Sequence, residues 1–232
     1  MKIYNMPQGS DEWLQERVGL VTMSRAKDLI ANGRGSKPSQ TRLTYLMTLA
    51  AERVSGMPAD NYVSRDMERG TFLEPFALEA FVLSTDTEWQ RIGLAKTDCE
   101  RIGASPDALS LDSGVEIKCP APKKHIQNVI GDGLDEYMAQ VQGCMWVCER
   151  DHWWLVSYCP QVLCNPLHYV RADRDEAMIA KIRDSALSAA DEVDAMVAQV
   201  LSQSAPEPIR KQAAFALESW QSACADKTEV VI

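Results

Sequence analysis

The chain has 232 residues, 46% of them hydrophobic and a quarter charged, which is enough apolar material for a sizeable core and too much for a disordered protein. Its 33 acidic and 24 basic residues leave a formal charge of −9, and that excludes a simple clamp holding nucleic acid by electrostatics alone. No apolar run approaches the roughly 20 residues of a membrane span, and Met1-Lys2-Ile3-Tyr4-Asn5 lacks the apolar centre of a signal peptide, so a cytoplasmic protein with no membrane partner is expected.

In chain order, apolar spacing predicts helices near 11–17, 23–31, 40–54 and 68–84. Between the second and third lies a glycine-rich basic loop, Ala31-Asn32-Gly33-Arg34-Gly35-Ser36-Lys37-Pro38. It lacks the Gly-Lys-Ser/Thr ending of a phosphate-cradling loop and no strand precedes it, so no nucleotide cofactor is expected. On the fourth helix, Phe72, Leu73, Phe76, Ala77, Ala80 and Phe81 form the apolar stripe and Glu74 stands off it. Strands follow near 89–95, 100–110 and 114–119.

The segment 106–120 alternates apolar and polar residues on both sides of Asp112-Ser113-Gly114, which predicts two short strands joined by a tight turn. On its second strand Glu116 and Lys118 share one face while Val115, Ile117 and Cys119 share the other. Asp107, Glu116 and the carbonyl of Ile117 are hard oxygen donors of the kind magnesium or manganese takes. Lys118 beside them would orient a water for in-line attack on phosphorus, making phosphodiester hydrolysis the implied reaction. The competing reading has Asp107 and Asp112 as turn formers and Glu116 and Lys118 as a solvated surface pair.

A helix is predicted near 135–149, where Tyr137, Gln140 and Cys144 share a face and Gln140 can reach a catalytic oxygen or a phosphate. Strands near 153–158 and 167–172 come next, with His168 expected as a packed core residue. A long helix near 174–202 carries Ile179, Ile182, Ala186, Ala190, Val193, Val197 and Val200 at spacings of three and four. After the break at 202–208 a shorter helix near 209–224 is expected as surface cover. The seven cysteines read as reduced, buried residues. With no Cys-x-x-Cys pair and three scattered histidines, neither zinc nor an iron–sulfur cluster is expected.

These blocks resemble the PD-(D/E)XK nuclease superfamily and, within it, the phage lambda exonuclease family. The resemblance runs through Trp13-x-x-x-Arg17-x-Gly19, Thr22-x-Ser24, Gly70-x-x-x-Glu74, Ser105-Pro106-Asp107, Glu116-Ile117-Lys118-Cys119-Pro120, Tyr137-Met138-Ala139-Gln140-Val141-Gln142, Met145-Trp146-Val147 and Leu167-His168-Tyr169-Val170. It spans roughly residues 8 to 178.

The resemblance implies an α/β, restriction-endonuclease-like fold: a central mixed β-sheet flanked by helices, with a C-terminal helical extension. Length and composition agree with one nuclease domain over 1–232, with 1–172 as catalytic core and 173–232 as the extension, the tail lying beyond most of the resemblance. Asp107, Glu116 and Ile117 would hold Mg2+, with Mn2+ able to substitute, while Lys118 orients the nucleophile and Glu74 and Gln140 support the site. Arg17 and Ser24 would bind a terminal 5′-phosphate, which suits arginine's planar fork; a surface charge at a helix end is the plain alternative for Arg17. Arg34, Lys37 and Arg65 would contact duplex DNA. Met67 falls where the family places an apolar wedge for the terminal base pair, though a buried methionine at a helix start explains it equally well.

The activity implied is a 5′-to-3′ exonuclease on double-stranded DNA ends, releasing mononucleotides and leaving 3′ single-stranded tails for phage or prophage recombination. Its implied partners are a single-strand annealing protein and two further copies of itself in a homotrimeric ring, whose enclosure of DNA offsets the unfavourable net charge. Two other readings stay open: an endonuclease of the same superfamily, restriction-like or junction-resolving, and a catalytically silent DNA-binding module.

Overall fold

The computed structural model describes residues 1–33, 39–59, 64–131 and 133–228. It contains two four-stranded sheets. The first has the order β1-β3-β4-β2, from β1 (Lys2–Tyr4), β2 (Val21–Thr22), β3 (Leu94–Lys96) and β4 (Ile102–Ala104). The second has the order β5-β6-β7-β8, from β5 (Ala108–Leu109), β6 (Ser113–Lys118), β7 (His152–Tyr158) and β8 (Leu167–Asp173). Both are mixed: β2 runs parallel to β4 and β6 parallel to β7, while the other pairs are antiparallel.

The expected strand over 100–110 is therefore two strands in two sheets. The interruption is Ser105-Pro106-Asp107, where Pro106 has no N–H to give a ladder. A lone antiparallel bridge between Gln90 and Leu109 joins the segment before β3 to β5. The turn after β5 also differs by a residue or two from expectation, lying at 110–112 with β6 starting at Ser113.

The helices are α1 (Asp11–Glu16), α2 (Ala26–Leu29), α3 (Gln40–Ser55), α4 (Arg65–Thr85), α5 (Pro122–Ile130), α6 (Met138–Val147), α7 (Glu176–Ser202) and α8 (Glu207–Thr228). A 3-10 turn at Met23–Arg25 precedes α2, and another at Asp135–Tyr137 precedes α6. Serines 10, 39 and 64 cap α1, α3 and α4 by accepting the N–H three residues on.

Alternation on β6 and β7 sorts the core into two halves. Val115, Ile117, Cys119 and Val156 pack with Ala77 and Phe81 of α4. On the other face, Trp153 and Leu155 join Val141, Cys144 and Met145 of α6 and Ile182, Ala186 and Ala190 of α7. Gly114 lies flat on Trp153: a Cβ there would stand 2.3 Å from the indole ring.

Helix α5 escapes the sequence reading because its buried face is polar. His125 and Asn128 are 0% and 1% exposed. His125 bonds Ser157 Oγ through Nδ1 and the Asn165 carbonyl through Nε2, both at 2.8 Å. The Asn128 amide meets the same Ser157 Oγ, and Pro122 starts the helix without needing an N–H partner.

Further departures concern single residues. His168 is half-buried rather than core, because it lies on edge strand β8, whereas His125 is the packed histidine. Cys119, Cys144, Cys148 and Cys159 are buried thiols, but Cys99 and Cys164 sit in turns and are exposed. In α8, residues 207–222 are all exposed, so over that stretch it is not buried against any of the described residues. Among the described residues no helix is long and apolar enough to cross a membrane.

Candidate active site

The break at Pro106 and the alternation of β6 bring Asp107, Glu116 and Lys118 together. They line a cavity of about 360 Å3 with Gln140 and Cys144 from α6. The solvated-pair reading does not survive, since the Glu116 side chain is 5% exposed and that of Lys118 27%. Lys118 Nζ donates to Glu116 Oε1 at 2.6 Å and stands 5.0 Å from the centre of the Tyr137 ring.

Glu116 Oε2 is buried and has no hydrogen-bond partner among the described residues. A buried, unpaired carboxylate oxygen is costly unless a ligand completes it. Asp107 Oδ2 accepts the Ile117 N–H. Because N–H and C=O of one strand residue leave by the same edge, the Ile117 carbonyl is directed to the Asp107 side as well. Among the described residues no group of three or more His, Cys, Asp or Glu side chains makes a complete metal cage. Two carboxylates and a carbonyl, with water and phosphate for the rest, are instead what magnesium takes, so the donor set fits a hard divalent cation.

The electrostatics agree. Burial, reinforced by the negative charges of Glu116 and Glu74, holds the Asp107 carboxyl well above the usual carboxylate range. Burial also raises Glu74, while Arg91 acts against it. For Lys118 burial lowers the pKa, but Glu116 and Asp107 outweigh it and keep the ammonium above the ordinary lysine value. Like charges confined this way are relieved by a bound cation.

A second cavity of about 200 Å3 adjoins the first and shares Trp13, Arg17 and Ser24 with it. Arg17 caps the C-terminus of α1 and is half-buried, not a loose surface charge. Its guanidinium stacks 4.2 Å from the Trp13 ring centre and donates to Ser105 Oγ at 2.9 Å. It makes no ion pair among the described residues. Trp13 Nε1 donates to the same Ser105 Oγ at 3.2 Å and to the Gly93 carbonyl at 2.9 Å.

Glu74 forms a salt bridge with Arg91 and is not among the residues that line the cavity with Asp107, Glu116, Lys118 and Gln140. Arg65 and Met67 are exposed at the start of α4, Met67 by 52%, so the buried-methionine explanation falls. Arg34 and Lys37 lie outside the described residues. Sequence reasoning missed Ser105, which ties Arg17 to the Asp107 turn; its signal was the Ser-Pro-Asp triplet itself. It also missed Arg91 and the stacking of Tyr137 on Lys118, which only the fold brings about.

Fold and site together define a nuclease of the PD-(D/E)XK superfamily, of the lambda exonuclease kind. More narrowly, the chain belongs to the YqaJ-like viral recombinase domain family, whose model matches residues 12–151. The alkaline exonuclease LHK-Exo of Laribacter hongkongensis is 29% identical and superposes with a TM-score of 0.75, covering 84% of this chain and 97% of that one. Its complex with dAMP superposes at 0.76 with the same identity and coverage. A phage-related exonuclease from Haemophilus somnus 129PT shares the fold at 17% identity and a TM-score of 0.63, covering 80% of this chain and 96% of its own. ExoD of Escherichia coli K12, a putative uncharacterized protein, is 34% identical over 64 residues, 28% of this chain and 74% of ExoD.

Proposed function

We propose that this chain is a Mg2+-dependent 5′-to-3′ exonuclease acting on double-stranded DNA ends, with Mn2+ able to replace Mg2+. The observation that carries the reading is the junction of two cavities: a carboxylate pair with a buried oxygen that has no partner among the described residues, and beside it an arginine and a serine, the arginine without an ion pair among the described residues. The likeness to an exonuclease solved with dAMP supports a mononucleotide product.

Asp107, Glu116 and the Ile117 carbonyl would hold the metal, which when bound would supply charge stabilisation to the attacking and leaving oxygens. Lys118 orients the attacking water, and Gln140 and Glu74 steady the phosphate and the ligands from α6 and α4. Arg17 and Ser24 bind the terminal 5′-phosphate, so the end is measured from that pocket to the scissile bond and the polarity follows. Arg65 lies along the duplex, and Met67, exposed on the same turn of helix, meets the terminal base pair.

The product would be a 3′ single-stranded tail for recombination in a bacterial host's cytoplasm, with a single-strand annealing protein as the consumer. A homotrimeric ring would hold the duplex by enclosure, which reconciles a DNA partner with a charge of −9.

The test is digestion of linear and covalently closed duplex with Mg2+, with chelator, and with Asp107→Asn. The reading predicts mononucleotides from linear DNA only, and none with chelator or variant. Cutting of closed circles would make the enzyme an endonuclease, and no cleavage at all would leave a binding module.

A further inference from the structure

The second cavity is lined by the hydroxyls of Ser24, Thr22 and Tyr45, and its one carboxylate among the described residues, Glu52, is engaged by the Gly19 and Ala59 N–H groups. Ser24 sits in the 3-10 turn Met23–Arg25, exposed to the cavity, and its Oγ lies 3.2 Å from Thr22 Oγ1. Thr22 Oγ1 in turn lies 3.4 Å from Tyr45 Oη. Thr22 and Tyr45 are 6% and 5% exposed, so bulk water does not supply these contacts. The Thr22 side chain does not cap the turn that follows it, although its position would allow that. The hydroxyl is committed elsewhere.

Tyr45 Oη already accepts the Thr22 backbone N–H at 2.9 Å, and each hydroxyl has one proton to give. When an anion occupies the cavity, Ser24 donates its proton to it. Ser24 Oγ then accepts from Thr22, and Thr22 Oγ1 accepts from Tyr45. Directions along the line are thereby fixed, running from Tyr45 through Thr22 to Ser24 and out to the anion. Chains of this kind polarise one another, so the last donor is stronger than an isolated serine. Burial pushes the Tyr45 phenol up, which keeps it the protonated donor at the head of the line. The Arg25 guanidinium, paired with Asp28, stacks 4.8 Å from the Tyr45 ring centre and fixes the ring from outside.

We propose that Tyr45 and Thr22 are positioning residues for end recognition, forming a one-way hydroxyl chain that aims the Ser24 proton at a terminal phosphate monoester. This rests on the reading of the Arg17–Ser24 cavity as the 5′-phosphate site. Arg17 contributes charge and the hydroxyl chain contributes direction. Discrimination between a 5′-phosphate and a 5′-hydroxyl therefore depends on a residue of α3 that never touches the DNA.

The experiment measures initial rates, as kcat and KM, on linear duplexes with 5′-phosphate or 5′-hydroxyl ends. The variants are Arg17→Ala, Ser24→Ala, Tyr45→Phe, Thr22→Val, Thr22→Ser and the Ser24→Ala/Tyr45→Phe double, with melting temperatures recorded for each. Tyr45→Phe and Thr22→Val are expected to lower the preference for 5′-phosphate by roughly 3- to 10-fold, the size of one hydrogen bond, and Thr22→Ser to restore it. In the double variant, Tyr45→Phe should cost nothing beyond Ser24→Ala, because its effect runs through that serine. An unchanged end preference in Tyr45→Phe and Thr22→Val, or an additive loss in the double, overturns the chain while Arg17→Ala and Ser24→Ala still lose preference. If those two also keep it, the phosphate pocket falls and the chain with it. A variant that melts far below the parent is read through Thr22→Ser, which keeps both hydroxyl and fold.

Discussion

Replacing Asp107 by asparagine should abolish cleavage yet make the metal-free protein more stable. The isosteric amide keeps an oxygen for the Ile117 N–H but removes a charge buried beside Glu116 and Glu74. Asp107 has a native pKa raised above its unfolded value of about 3.9. Its contribution to stability is thus full below that value and is lost as pH rises through the native pKa. Above the native pKa the folded state bears the whole cost of that buried charge, and asparagine bears none. A kcal/mol moves the melting point of a chain this size by about 2–4 °C, so the variant should melt measurably higher in chelator. Mg2+ at 100 times its dissociation constant should then stabilise the parent by about 2.7 kcal/mol and the variant hardly at all. The assay is thermal unfolding of both proteins in chelator and in Mg2+. A variant that melts lower in chelator, or equal gains from Mg2+, would refute the electrostatic account of the site.

At limiting Mg2+ the parent's cleavage rate should climb with pH through the raised Asp107 pKa, and higher Mg2+ should move that climb to lower pH, since proton and metal compete for one carboxylate; a pH profile indifferent to metal concentration would contradict this. Lys118→Ala should lower kcat by about 10²- to 10⁴-fold while the Mg2+-induced rise in melting temperature persists, which separates water orientation from metal binding. Gly114→Ala should cost about 1–3 kcal/mol in urea unfolding, because the new Cβ would sit 2.3 Å from the fully buried Trp153 ring. His125→Ala should cost about 1–3 kcal/mol and speed amide exchange in α5, since Ser157 and the Asn165 carbonyl lose a partner at 2.8 Å each.

What could be read from the sequence follows from period. The β6 alternation of Val115, Glu116, Ile117 and Lys118 separates chemistry from core at every residue, and α7 repeats its apolar stripe over 27 residues. Helix α5 was hidden because His125 and Asn128 bury polar groups satisfied by Ser157 and Asn165, partners 29 to 40 positions away that no periodicity reports. Pro106 was visible, but that it splits a run into two sheets depends on β4 pairing with β2 and β3 while β5 pairs with β6. In the site, Asp107, Glu116, Lys118 and Gln140 meet as the motif spacing implies. Ser105, Tyr45 and Arg91 act through contacts 17 to 88 residues apart in sequence, so their parts appear only once α1, α3 and α4 are folded onto the sheets.

The most direct test of the whole account is strand polarity. Linear duplex carrying one label on a 5′-terminal nucleotide and a second on a 3′-terminal nucleotide is digested with Mg2+, and early products are resolved by size. The Arg17–Ser24 cavity beside Asp107 and Glu116 predicts that the 5′ label leaves first, as a mononucleotide, while the 3′ label stays on long strands. Early release of the 3′ label, or of internal oligonucleotides, would contradict the placement of the terminal phosphate and with it the mechanism.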